Sequence, residues 1–358
     1  MKDIKRLVRA NIAALTPYST ARDEYKGSLG ILLDANENPY DAPYSDKGSQ
    51  AGGAYVINRY PSTSLKEAVR GKVAALKGVA PQRLFLGNGS DEAIDLCYRV
   101  FCEPGRDNAV MIAPSYGMYS VCADINNVGC RMVLLEPETF ALPVERLLAQ
   151  VDANTKLMFI CSPNNPTGNA FDVADIELLA DAFDGILVVD EAYVDFSSKP
   201  GVLPLIEKYD NVIVLQTLSK AWGLAGLRIG LAMSNPYIIS LFRQVKYPYN
   251  IGTDTLALAL DRLKADITPQ VEEIISERDR LAELLPAYKC VRKVYPSDAN
   301  FLLVKVDDPR GLYNALIEGG LIVRDRSSVA LCEGCLRITI GTPSENEKLL
   351  KAIETYES

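Results

Sequence analysis

Seven short apolar runs punctuate the middle of this chain: RLFLG from residue 83, NAVMIA from 108, RMVLLE from 131, KLMFIC from 156, GILVVD from 185, NVIVLQ from 211 and RIGLAMS from 228. Runs this short and this uniformly apolar read as strands covered on both faces. Most are separated by segments of helical periodicity, such as Ile176, Leu178, Leu179, Ala182 and Phe183. Alternation of that kind leaves few architectures open. The reading is a mostly parallel seven-stranded sheet with helices on each side, an α/β fold.

At 358 residues the chain is long enough for about two domains. The run pattern stops near 235. A long charged helix follows over 268–288, then NFLLVKV, a helix, CLRITIGT and a last helix. The expected division is an N-terminal arm over 1–45 that joins the small domain, a large domain over 46–250, and a small α+β domain over 251–358 that includes the connecting helix. LDANENPYDAPY, 33–44, is too rich in turn formers for a core element. Ser64 and Glu67 read as a capping box ahead of Leu65, Ala68, Val69, Val73 and Leu76, and Gly78 closes that helix.

Composition narrows the chemistry. The chain contains 0 histidines, which removes the Ser/His/Asp triad, the Cys/His pair and His-ligated metal centres. Acid/base work near pH 7 then falls to Lys, Asp, Glu, Tyr or Cys. With 38 basic and 46 acidic residues the net charge is −8, so nucleic acid and anionic membrane are not expected as partners. The 8 cysteines are scattered except for Cys332 and Cys335, and one C-x-x-C makes no four-ligand zinc site. They read as reduced thiols of a cytoplasmic protein, with no metal expected. No run of 18 apolar residues occurs, and MKDIKRLVRANIAAL reads as a short amphipathic arm rather than a signal peptide.

In an open parallel sheet, ligands bind beyond the carboxyl ends of the strands. After RLFLG come Gly89, Ser90 and Asp91, a turn into a helix start whose free amides suit a phosphate, although a plain strand-to-helix turn reads the same way. After KLMFIC comes SPNNPTG with Asn165. After GILVV stands Asp190, with Tyr193 three residues on. After NVIVLQ come Thr217, Ser219 and Lys220, and Arg228 opens the last run. Alone, Lys220 is a snorkelling lysine or an amine poised for covalent chemistry.

Together SPNNPTG, DEAY and TLSKAWGLAGLRIG resemble the asparagine loop, aspartate strand and lysine segment of fold-type I pyridoxal-phosphate (PLP) aminotransferases. LTPYSTAR, LDANENPY, NRYPS, GNGSDEAIDL, PSYGMYSV, LIVRD and GCLRITIGT further resemble the histidinol-phosphate aminotransferases of that class.

The resemblance implies a PLP enzyme that interconverts L-histidinol phosphate plus 2-oxoglutarate with imidazole acetol phosphate plus L-glutamate. Its alternatives are an aromatic amino-acid aminotransferase or a threonine-phosphate decarboxylase. It implies that Lys220 carries PLP covalently and that Asp190 holds the ring-nitrogen proton. Asn165 and Tyr193 would meet the ring's 3-oxygen, and Tyr116 would stack on the ring. Gly89, Ser90, Asp91, Thr217, Ser219 and Arg228 would form the phosphate cup, which Tyr60 of a second subunit would complete in a homodimer with shared active sites. Arg324 and Arg337 would hold the substrate's phosphate, with Tyr18 and Asn36 beside them.

Overall fold

The structure, a computed structural model, describes residues 2–16 and 58–357. Two sheets organise it. The large sheet comprises β1 (Leu84–Asn88), β2 (Asn108–Ala113), β3 (Gly129–Leu134), β4 (Thr155–Cys161), β5 (Ile186–Asp190), β6 (Val212–Thr217) and β7 (Ile229–Ser234), in the order β1-β7-β6-β5-β4-β2-β3. Each strand overlaps one of the seven apolar runs, its ends within two residues of the run's. All neighbouring pairs are parallel except the two made by β7, which runs antiparallel to β1 and β6. This reversal brings the amino end of β7 to the edge where β4, β5 and β6 end, so Arg228 arrives beside Thr217.

Alternation along the central strands feeds two cores. In β4, Met158 and Ile160 join one hydrophobic cluster while Leu157, Phe159 and Cys161 join the other; in β5, Leu187 and Val189 are set against Ile186 and Val188 in the same way. Asp190, the last residue of β5, is therefore delivered to the rim by a strand that is buried throughout.

The helix Thr63–Lys77 is capped by Ser62, whose Oγ accepts from the Leu65 amide at 3.2 Å, and not by Ser64 as the capping-box reading had it. The cap position is N3-distant from an apolar residue, so no acid reaches back. Gly78 does end the helix, at φ 67°, in the left-handed region that favours glycine.

The second sheet, ordered β10-β11-β9-β8, contains β8 (Val291–Val294), β9 (Phe301–Val306), β10 (Arg324–Asp325) and β11 (Cys335–Thr339). It packs with helices Thr268–Leu284, Pro309–Glu318 and Pro343–Glu357 around its own core, including Leu281, Leu302, Leu316 and Leu350. Between the two sheets, Tyr193, Phe196, Ala221, Ala299 and Phe301 form a small apolar seam.

Two expectations about the division of the chain differ from what is seen. Residues 2–16 do not join the small sheet: Ile4, Leu7, Val8 and Ile12 pack with Phe101 and its neighbours on the large sheet's helical layer. The Arg9 amide donates to the Val100 carbonyl at 3.0 Å. An arm with four apolar residues goes where an apolar helical surface is open to cover. Likewise Ile251, Leu256, Ala259 and Leu263 belong to the large core, beyond the boundary expected at 250. No helix among the described residues is long and apolar enough to cross a membrane.

Candidate active site

A cavity of about 610 Å³ opens at the rim where β4, β5 and β6 end. Part of its lining comes from the residues that flank β1, β6 and β7. Gly89, at φ 75°, turns β1 into the helix Ser90–Phe101 and donates its amide to the Arg228 carbonyl at 2.7 Å. A β-carbon here would lie 2.5 Å from an Arg228 Nη, and one on Gly230 would lie 2.1 Å from the Gly89 carbonyl carbon. The two glycines let β7 press against the helix start. Thr217 Oγ1 donates to Ser219 Oγ at 2.9 Å, and Arg228 Nη1 and Nη2 reach Ser219 Oγ and Asp91 Oδ2 at 3.5 and 3.4 Å. Two such long contacts leave the guanidinium free to take a stronger acceptor.

Deeper in, Asp190 is 3% exposed. Tyr119 donates its hydroxyl to Oδ2 at 2.8 Å and the Ala192 amide donates to Oδ1 at 3.1 Å. Burial pushes the carboxyl up to about 6 against those two bonds, which pull it down. Among the described residues no lysine or arginine ion-pairs with it. Lys220 Nζ sits 5.5 Å from the centre of the Tyr193 ring. Burial and the charges of Arg337 and Arg228 hold its ammonium below the ordinary lysine value, although Asp190 and Asp91 oppose them. Burial also raises the Tyr193 phenol.

Tyr116 bonds Asp91 Oδ1 at 3.0 Å through its hydroxyl and meets Tyr119 edge to face, with ring centres 5.6 Å apart. The Asn loop is pinned by its buried neighbour Asn164, which accepts from Ser115 and donates to the Pro114 carbonyl and Thr167. That leaves Asn165 facing the cavity, where its Oδ1 accepts from Arg337 Nη1 at 2.5 Å. Arg337 lies over the Phe301 ring, and Arg324 is its register partner across β10 and β11.

The cavity thus gathers Ser90, Asp91, Tyr116, Asn165, Asp190, Tyr193, Thr217, Ser219, Lys220, Arg228, Arg324 and Arg337, with Gly89 turning the chain at its edge. Tyr60 stands outside it, stacked on Tyr249 with ring centres 4.2 Å apart and 49% exposed. Tyr18 and Asn36 lie outside the described residues. Sequence reasoning missed two contributors. Tyr119 lies in the first turn of the helix Met118–Ile125, which begins just after Tyr116. Arg326 follows Arg324 by two, the strand repeat.

The geometry can be set beside known proteins. A family model described as aminotransferase class I and II matches residues 30–353. Histidinol-phosphate aminotransferase of Parabacteroides distasonis is 50% identical over 356 residues, 99% of each chain. The enzyme of the same name from Bacteroides thetaiotaomicron is 47% identical over the full length of both. A crystal structure of histidinol-phosphate aminotransferase from Sinorhizobium meliloti in complex with pyridoxal-5'-phosphate superposes with a TM-score of 0.75 at 23% identity, covering 84% of this chain and 83% of that one. This last likeness speaks for the fold.

Proposed function

This chain belongs to the class I and II aminotransferases, and from that premise we propose that it transfers the amino group of L-histidinol phosphate to 2-oxoglutarate, giving imidazole acetol phosphate and L-glutamate. The observation that carries the reading is the gathering, in one cavity, of a lysine, a buried aspartate and the arginines Arg324, Arg326 and Arg337.

The family works with pyridoxal phosphate, and the residues present fit it. A buried carboxylate without a cation is costly, and Asp190 has that environment with acceptor capacity left on both oxygens. A protonated ring nitrogen satisfies it. Bound PLP supplies a pyridinium that draws electrons from the carbon bearing the amine, so that carbon can lose a proton.

The chain's own groups do the rest. The amides at the start of the Ser90–Phe101 helix, the hydroxyls of Ser90, Thr217 and Ser219, and Arg228 would bind the cofactor phosphate. Asp190 would keep the ring-nitrogen proton in place. Asn165 and Tyr193 would meet the 3-oxygen, and Tyr116 would cover one ring face. Lys220 would anchor the cofactor through Nζ and, once released by substrate, take and return the proton at the substrate's amine-bearing carbon. Burial lowers its affinity for protons, the direction that favours the free amine.

Arg324 and Arg337 would hold the substrate's phosphate. The proposal includes a homodimer in which the exposed Tyr60 completes the partner's phosphate cup, and a cytoplasmic setting, which the eight unpaired cysteines support.

Turnover of L-histidinol phosphate, L-histidinol, phenylalanine and threonine phosphate by the purified, PLP-loaded chain tests the reading. Histidinol phosphate should be converted far faster than the rest. Preference for phenylalanine, or release of carbon dioxide from threonine phosphate, would replace it with the corresponding rival.

A further inference from the structure

Three arginines, Arg324, Arg326 and Arg337, line one end of the cavity. Strand geometry explains their convergence. Arg324 is paired in register with Arg337, and the Arg326 amide continues the ladder by donating to the Cys335 carbonyl at 2.9 Å. Side chains alternate along a strand, so Arg326 shares a face with Arg324 and Asp325 takes the other. Asp325 is exposed, and its Oδ1 accepts from the Ser327 amide at 2.8 Å. Glu333, on the same loop, is engaged with the Leu331 amide.

Like charges set across a ladder repel, and the neighbouring Asp325, Cys332 and Tyr193 offset this only in part, since burial outweighs them. None of the three arginines forms an ion pair there. Arg326 Nε and Arg337 Nε are buried without a hydrogen-bond partner. Burial and the neighbouring Arg324 both work against the Arg326 charge. Three cations held together with donors unspent make a site that an anion completes.

The charge of that anion follows from the number of cations. A carboxylate is matched by one forked guanidinium, whereas a phosphate monoester carries about −1.5 to −2 and three acceptor oxygens. We infer that Arg326 is a specificity-determining residue, the third guanidinium that separates the phosphate ester of one substrate from the carboxylate of glutamate, for which Arg337 suffices. The inference rests on the reaction proposed above.

Full-length PLP-loaded wild type, R326Q and R326K are compared in single-turnover half-reactions with L-histidinol phosphate, L-histidinol and L-glutamate. In R326Q the specificity constant for histidinol phosphate relative to glutamate should fall about tenfold or more, through weaker apparent affinity rather than a slower step. R326K, which keeps the charge, should recover part of the loss. Inorganic phosphate, added as a competitive inhibitor of the loaded enzyme, should bind R326Q correspondingly more weakly.

A ratio in R326Q within about threefold of wild type, while wild type itself strongly prefers histidinol phosphate to histidinol, overturns the role of Arg326 and spares the reaction. Equal losses toward all three substrates also overturn it, by marking a structural role. Absence of any preference in wild type overturns the reaction as read and the inference with it.

Discussion

Asp190 is a carboxyl placed where ionisation is costly and useful at once. Its value in the folded chain is raised from 3.8 to about 6, chiefly by burial. A raised acid destabilises the fold once ionised: the cofactor-free protein should lose stability as pH rises from about 4 to 6, by up to about 3 kcal/mol, and regain none above that. Asp190→Asn should therefore be more stable than wild type at pH 7.5, by roughly 1 to 3 kcal/mol in urea melts, with the difference vanishing near pH 4. A constant difference across that range would show that Asp190 does not titrate this way. The same substitution should cost the loaded enzyme about a hundredfold or more in turnover. Tyr119 is the counterweight, because its bond favours the charged form. Tyr119→Phe should weaken cofactor binding and move the acid limb of kcat/KM upward by about one unit. Asp190 was legible because it ends an apolar run, and Lys220 because it follows one within the motif TLSK. Tyr119 was hidden because a tyrosine within a helix reads as core, and only the fold shows its hydroxyl aimed at a carboxylate.

At the scale of elements, the strands were legible and their order was not. A run buried on both faces announces itself by composition, but β7 inserts between β6 and β1, and its pairing with β1 joins residues far apart in sequence. β8 and β10 passed unnoticed because they are short and partly exposed. The β1–β7 contact has its own test. In Gly230→Ala the new β-carbon would meet backbone atoms of Gly89 and Ser90 at 2.1 Å, which no side-chain rotation relieves. Overpacking of this kind costs about 1 to 3 kcal/mol, and here it displaces the helix start that would receive the phosphate. The variant should melt earlier and bind PLP at least about tenfold more weakly; normal affinity in a destabilised protein would separate the two effects. Ser62→Ala, by contrast, should cost only about 1 kcal/mol of stability, since it removes one cap bond and no buried packing.

For the whole molecule, the two-sheet plan could be read from the change of pattern near 235, but the packing of residues 2–16 could not, because an amphipathic arm carries no address. Shared sites make a claim about assembly. Lys220→Ala and Tyr60→Ala chains, each impaired alone, should regain activity when mixed under subunit exchange, since some mixed dimers hold one site with both residues intact. Mixtures no more active than the average of the parents would confine each site to one chain. The cavity, finally, offers amine, phenol and carboxyl groups and no imidazole, and the 358 residues contain 0 histidines. A ribosome translating them never waits for a histidine-charged tRNA.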